Sequence, residues 1–166
     1  MKAYNIQTKS ATYNETTGIS KVWIATDIGD FFGEAKLNPE DKDIESHFAG
    51  PEYAEMRAII SYAKEKIKII KYQLKLLEQI KNELLQTKTI KHDLRYNNHV
   101  VMNVIDQHLN RLTEVLNIIT KNKENLEIKL KNDIATRREK IEYIEKVKIK
   151  LKEKNNNNNN IKQDNK

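Results

Sequence analysis

The sequence predicts an α+β protein: a small three-stranded antiparallel sheet with a covering helix, followed by long antiparallel helices packed as a coiled-coil-like bundle. Two observations lead there. Every glycine and proline of the 166-residue chain lies at or before Pro51, which confines the strongest turn formers and helix breakers to the front. Behind them an apolar repeat of alternating four- and three-residue steps starts at Met56 and keeps one seam facing a partner helix.

The head is read as residues 1–58. Tyr4, Ile6 and Thr8 alternate with polar residues as a half-buried strand does, and Asn14-Glu15-Thr16-Thr17-Gly18 reads as the turn after it. Residues 19–26 make a second strand, with Val22 and Ile24 on one face and Trp23 and Ala25 on the other. Asp27-Ile28-Gly29-Asp30 is a compact turn. The third strand, 31–37, turns Phe31, Gly33, Ala35 and Leu37 to one face and Glu34 and Lys36 to the other. Pro39 ends it, since proline cannot donate to a ladder. Pro51 sits where a helix begins. Ala54 and Ala58, one helical turn apart, are small enough to let that helix approach the sheet closely. Trp23 and Phe32 are expected in the core rather than as exposed stacking platforms.

The strings Gly33-x-Ala35-x-x-x-Pro39-x-Asp41 and Gly50-x-x-x-Ala54-x-x-Arg57-Ala58 resemble small phage-encoded and bacterial domains of the double-stranded-RNA-binding-like superfold, over residues 19–65. The resemblance implies the β-β-β-α head and a phage origin. Its helix opens with Glu52 and Glu55, however, where an RNA binder places lysines against phosphate. The resemblance therefore points to the fold and away from direct double-stranded RNA binding.

The body is read as residues 51–154. Its first helix, about 51–86, carries the seam Met56, Ile60, Ala63, Ile67, Ile70, Leu74, Leu77, Lys81, Leu84. Ile59, Ile69, Leu76, Ile80 and Leu85 lie beside it and widen the apolar face beyond a two-stranded stripe, which suggests three or more helices in contact or a hairpin within one chain. In a parallel homodimer Lys66 would oppose Lys71, so antiparallel packing or an acidic partner is favoured. The stretch 87–93 is poor in helix formers and marks a reversal. A second helix, about 94–121, aligns Ile105, Leu109, Leu112, Leu116 and Ile119. The repeat continues through Lys123, Leu126 and Leu130, then resumes out of phase at Ile134, Arg137, Ile141, Ile144, Lys148 and Leu151. That shift is either a stutter in one helix or a turn at 122–125. The turn is expected, giving an up-down-up arrangement. The Asn- and Lys-rich tail, 155–166, is expected to be disordered.

Charge is divided unevenly. Residues 1–50 carry five Lys against eight acids, net −3, and the remainder carries 25 basic against 16 acidic groups, net +9. No apolar run approaches the roughly 20 residues of a membrane span, the start Met1-Lys2-Ala3-Tyr4-Asn5 leads into no apolar signal core, and cysteine is absent, so a cytoplasmic location is expected. No phosphate loop, nucleophile elbow or HExxH is found, and neither catalysis nor a cofactor is expected. His92, His99 and His108 read as surface residues, and Asp27, Asp30 and Glu34 as a solvated hairpin rather than a cation site. The seam implies a protein partner or self-association, as in a scaffold or an inhibitor of a host factor. The acidic stretch Glu40, Asp41, Asp43, Glu45 is a candidate partner-binding loop that would mimic phosphate. The alternative is nucleic-acid binding through the basic helices, with Arg137, Arg138 and Lys140 as phosphate contacts.

Overall fold

The computed structural model describes residues 6–36, 49–86 and 92–163, without the side chains of Ala49, 92–98 and 153–163. Strands β1 (Gln7–Asn14), β2 (Ile19–Thr26) and β3 (Gly29–Lys36) form an antiparallel meander in the order β1-β2-β3. Helices α1 (Ala49–Gln86) and α2 (His92–Gln163) follow.

The first strand lies later than the alternation of Tyr4, Ile6 and Thr8 suggests. It is an edge strand, exposed along most of its length, so it carries little apolar pattern to mark its ends. Its register slips between Thr8 and Ser10, a β-bulge that swaps which residues face inward. The turn that follows is set by Asn14, whose Oδ1 accepts from Thr17 N at 3.0 Å and whose carbonyl accepts from Gly18 N at 2.8 Å. Gly18 has φ 65°, a conformation a Cβ would penalise.

One face of the sheet is covered and the other is not. Val22, Ile24, Ala35 and Ser20 point inward, and α1 lays Ala54, Ala58 and Tyr62 across them. The approach is as close as the alanines permit. A Cβ added at Gly33 would overlap the carbonyl oxygen of Ala54 and stand 2.6 Å from Ala58 N. Trp23 and Phe32, expected in the core, are instead 37% and 41% exposed on the outer face. Strand alternation sends Trp23 outward once Val22 and Ile24 face α1, and nothing among the described residues covers that side.

α1 and α2 form an antiparallel hairpin. Lys64 pairs with Glu127 at 3.6 Å and Lys81 with Asp106 at 2.5 Å, so α2 descends as α1 ascends. Between these pairs Ala63, Ile70 and Ile119 are buried, with Ile67, Leu74, Leu112 and Leu116 packed around them. Two of the seam lysines find carboxylates: Lys81 reaches Asp106 across the hairpin, and Lys123 reaches Glu127 on its own helix at 3.1 Å. The cross-hairpin pair Lys81–Asp106 helps fix helix register.

The expected turn at 122–125 is absent, and α2 runs through it. The phase shift after Leu130 is a stutter: the inward row continues as Ile134, Arg137 and Ile141 without a break in the helix. The up-down-up arrangement is therefore replaced by two helices. The tail expected to be disordered is also backbone helix as far as Gln163. No glycine or proline interrupts α2. Among the residues with described side chains, Ile141 is the last buried one on α2, close to the level where α1 begins.

Two substitutions test the sheet–helix layer by chemical denaturation. Gly33→Ala is expected to cost about 2–4 kcal/mol, because backbone must move to admit the methyl group. The buried Ser20 hydroxyl has no hydrogen-bond partner among the described residues. Ser20→Ala is therefore expected to be neutral or to stabilise by up to about 1 kcal/mol.

Candidate interaction surface

The candidate acids of the β2–β3 hairpin do not converge. Asp27 accepts from Tyr62 Oη at 2.8 Å and from Lys66 Nζ, which ties the hairpin to α1. Asp30 pairs with Lys9 at 2.5 Å and Glu34 with Lys21 at 3.8 Å, both on the outer face of the sheet. Each carboxylate is thus committed to its own ammonium. Among the described residues no group of three or more His, Cys, Asp or Glu is placed to share a metal ion. His99 and His108 are exposed on α2. Partial burial of Asp27 disfavours its charge, but hydrogen bonds from Lys66 and Tyr62 outweigh that, so its carboxyl stays below the usual range. Glu127 is also held low, first by its hydrogen bond from Lys123, against some desolvation, with Lys64 adding to the effect.

Trp23 and Phe32 pair across β2 and β3 with ring centroids 4.8 Å apart, and Lys21 lies 5.9 Å from the Phe32 centroid. They shield each other, as cross-strand aromatic pairs do.

The larger surface lies on the hairpin. All the residues read as an interaction seam are buried or half-buried: Met56, Ile60, Ile67, Ile70, Leu74, Leu77 and Leu84 on α1, and Ile105, Leu109, Leu112, Leu116 and Ile119 on α2. The chain consumes this seam internally. What remains open is the row beside it. The row that covers the sheet through Ala58 and Tyr62 continues along α1, by helical spacing, as Ile69, Gln73, Leu76 and Ile80. On α2 the corresponding row is Val104, His108, Arg111, Val115 and Ile118. The two rows meet in one groove, lined by Leu76, Leu77, Ile80, Leu112 and Val115 with Gln73, His108 and Arg111. Leu76 is 38% exposed, Ile80 45%, Val104 50% and Val115 37%.

The opposite flank is polar. On α1 it carries Lys64, Lys68, Lys71 and Lys75, then Glu78 and Asn82, all exposed, and on α2 Asp106, Thr113, Asn117 and Glu124. A two-helix hairpin in water has no reason to be apolar on one flank only, unless that flank is covered.

Of the residues read as phosphate contacts, Arg138 and Lys140 are exposed, while Arg137 is turned into the helix seam with Nε and Nη2 screened from solvent. A screened guanidinium is not offered to a polyanion, so Arg137 is reassigned to packing. The acidic loop Glu40, Asp41, Asp43 and Glu45 lies outside the described residues. Among the described residues no helix is long and apolar enough to cross a membrane. No family model matches the chain, and no match is found among curated proteins or solved structures.

The Asp27 latch gives a pH signature. Its pKa lies below the unfolded value of about 3.9, so its stabilisation is present above that pH and lost as pH falls through the folded-state pKa. Asp27→Asn is expected to cost about 0.5–1 kcal/mol at pH 7, as a largely solvated pair should. The cost should shrink in urea titrations as pH falls below the unfolded value of about 3.9 and through the folded-state pKa; a cost that does not change with pH would contradict the latch.

Proposed function

We propose that this chain is a non-enzymatic protein-interaction module whose docking surface is the apolar flank of the α1–α2 hairpin. One observation supports it above the rest: Leu76, Ile80, Val104 and Val115 line one flank, where the groove opens, while the other flank is lysine and other polar residues. Fully burying a Val, Leu or Ile side chain contributes about 1.5–3 kcal/mol, so half-exposed residues in a contiguous row leave substantial free energy to be gained on docking. The sheet acts as a brace in this reading. It holds α1 straight through its first turns and leaves the rest of the row free.

A second reading rests on a separate observation, the lysine row Lys64, Lys68, Lys71 and Lys75 on the opposite flank. Such a row can follow a phosphate backbone, with affinity falling steeply as salt rises. Lys64 and Lys68 are already paired with Glu127 and Glu65, and the row gives way to Glu78 after Lys75, which weakens it as a polyanion site.

The two readings separate in one experiment. A photoreactive amino acid at Ile80 is expected to give protein adducts, and the same group at Lys71 to give few. Adducts only at Lys71, or salt-dependent nucleic-acid adducts from that position alone, would favour the second reading.

A further inference from the structure

The geometry points to a second copy of this chain as the occupant of the flank, packed antiparallel about a two-fold axis near Leu76. The inference rests on the reading of the flank as a docking surface and adds the identity and orientation of the partner. Three features of the molecule carry it.

The first is continuity. The row beginning with Ala54, Ala58 and Tyr62 is covered by the sheet, and the same row runs on as half-buried Ile69 and exposed Gln73, Leu76 and Ile80. The covered part ends at Lys66, which reaches Asp27 at the sheet's lower turn. From there to the end of α1 at Gln86 is about 30 Å of helix, at 1.5 Å per residue. The surface left open thus has a defined start and a defined length, and its aliphatic residues continue those of the covered part, with Gln73 among them.

The second is size. From Val101 to Ile118 the α2 side is about 25 Å long, and two helices side by side span about 20 Å. The face is therefore about 500 Å² on each copy, and the pair reaches the roughly 1,000 Å² that a specific interface needs. The same patch on both partners is what a two-fold contact requires.

The third is direction. The sheet stands on the same flank as the groove, about 10 Å from α1. Two helical faces packed directly on each other sit 8–10 Å apart. In a parallel dimer both sheets would occupy that gap at the same level, which is impossible. In the antiparallel dimer each sheet lies at the other copy's hairpin end, and the grooves meet between them as a four-helix bundle. His108 and Arg111 line the same groove, and the cross-hairpin pairs set Arg111 near the level of Leu76, so the two guanidiniums approach each other across the axis and keep affinity modest.

The test uses the full chain, which has no cysteine and so accepts single labels. Sedimentation velocity is expected to show monomer passing to dimer between about 1 and 100 µM, the range suited to a small interface. Leu76→Glu with Val115→Glu should weaken the dimer at least about 100-fold while leaving the helical circular dichroism unchanged, since both side chains are already partly exposed. Lys75→Glu, on the other flank, should leave it intact. Spin labels at Glu52→Cys should lie about 70 Å apart in the dimer, from the 1.5 Å rise per residue on either side of Leu76. A chain that stays monomeric at 100 µM, a dimer indifferent to the double substitution, or labels within about 40 Å would each overturn the proposal. If the chain is monomeric but the photoreactive group at Ile80 still captures another protein, the second copy is wrong and the docking flank stands. If Ile80 captures nothing, both fall.

Discussion

A single helix serves two layers, and the rest of the molecule follows from that. α1 presents one row of small and aromatic residues to the sheet and an adjacent row of aliphatic residues to α2. The head, with its exposed edge strand and thin core, cannot bury enough apolar surface alone. It borrows the helix. The hairpin in turn depends on the same helix being straight and correctly rotated, and the close fit of Gly33 against Ala54 and Ala58 sets that rotation. Arg57 reinforces it, donating from Nη1 to the Glu34 carbonyl at 2.5 Å, as does Thr8 Oγ1 donating to Glu55 at 2.8 Å.

Sharing one helix has a structural cost, because the two partners differ in length. The sheet covers only the first turns of its row, whereas α2 follows α1 to the end of the described hairpin. Beyond Tyr62 and Lys66 no sheet strand covers this row among the described residues. The exposed Leu76 and Ile80 are thus a geometric consequence of a short sheet on a long helix, matched by Val104 and Val115 on α2. Polar residues would have solved the mismatch. They dominate the other flank, whereas this one sets Gln73, His108 and Arg111 among aliphatic residues.

Much of this is legible in the residues, and the gaps have physical causes. Turn chemistry and alternation place β2 and β3 closely, and the pair Ala54 and Ala58 announces the tight approach. The aliphatic repeat locates both seams. β1 escapes the pattern because an exposed edge strand needs no apolar alternation and a bulge breaks what there is. Trp23 is expected inside because large aromatics usually are, but period-two geometry makes its position depend on where the only cover lies. A phase shift and a helix break look alike in sequence, which is why the stutter mimics a turn; the absence of glycine and proline does not decide between them, since the chain also reverses between Gln86 and His92 without either. The Asp27 latch joins residues too distant along the chain for any local pattern to show it. The width contributed by Ile69, Leu76 and Ile80 is visible, but only the extent of the sheet tells which part of that width stays open.

The claim that α1 belongs to head and hairpin at once can be measured directly, because Trp23 is the only tryptophan and lies in the sheet. Urea unfolding followed by Trp23 fluorescence reports the head, and far-ultraviolet circular dichroism reports the helices. A shared helix makes the two transitions superimpose, with one midpoint and one slope. Two separated transitions, the sheet melting while the hairpin persists, would show that the head is merely tethered and that the account is wrong.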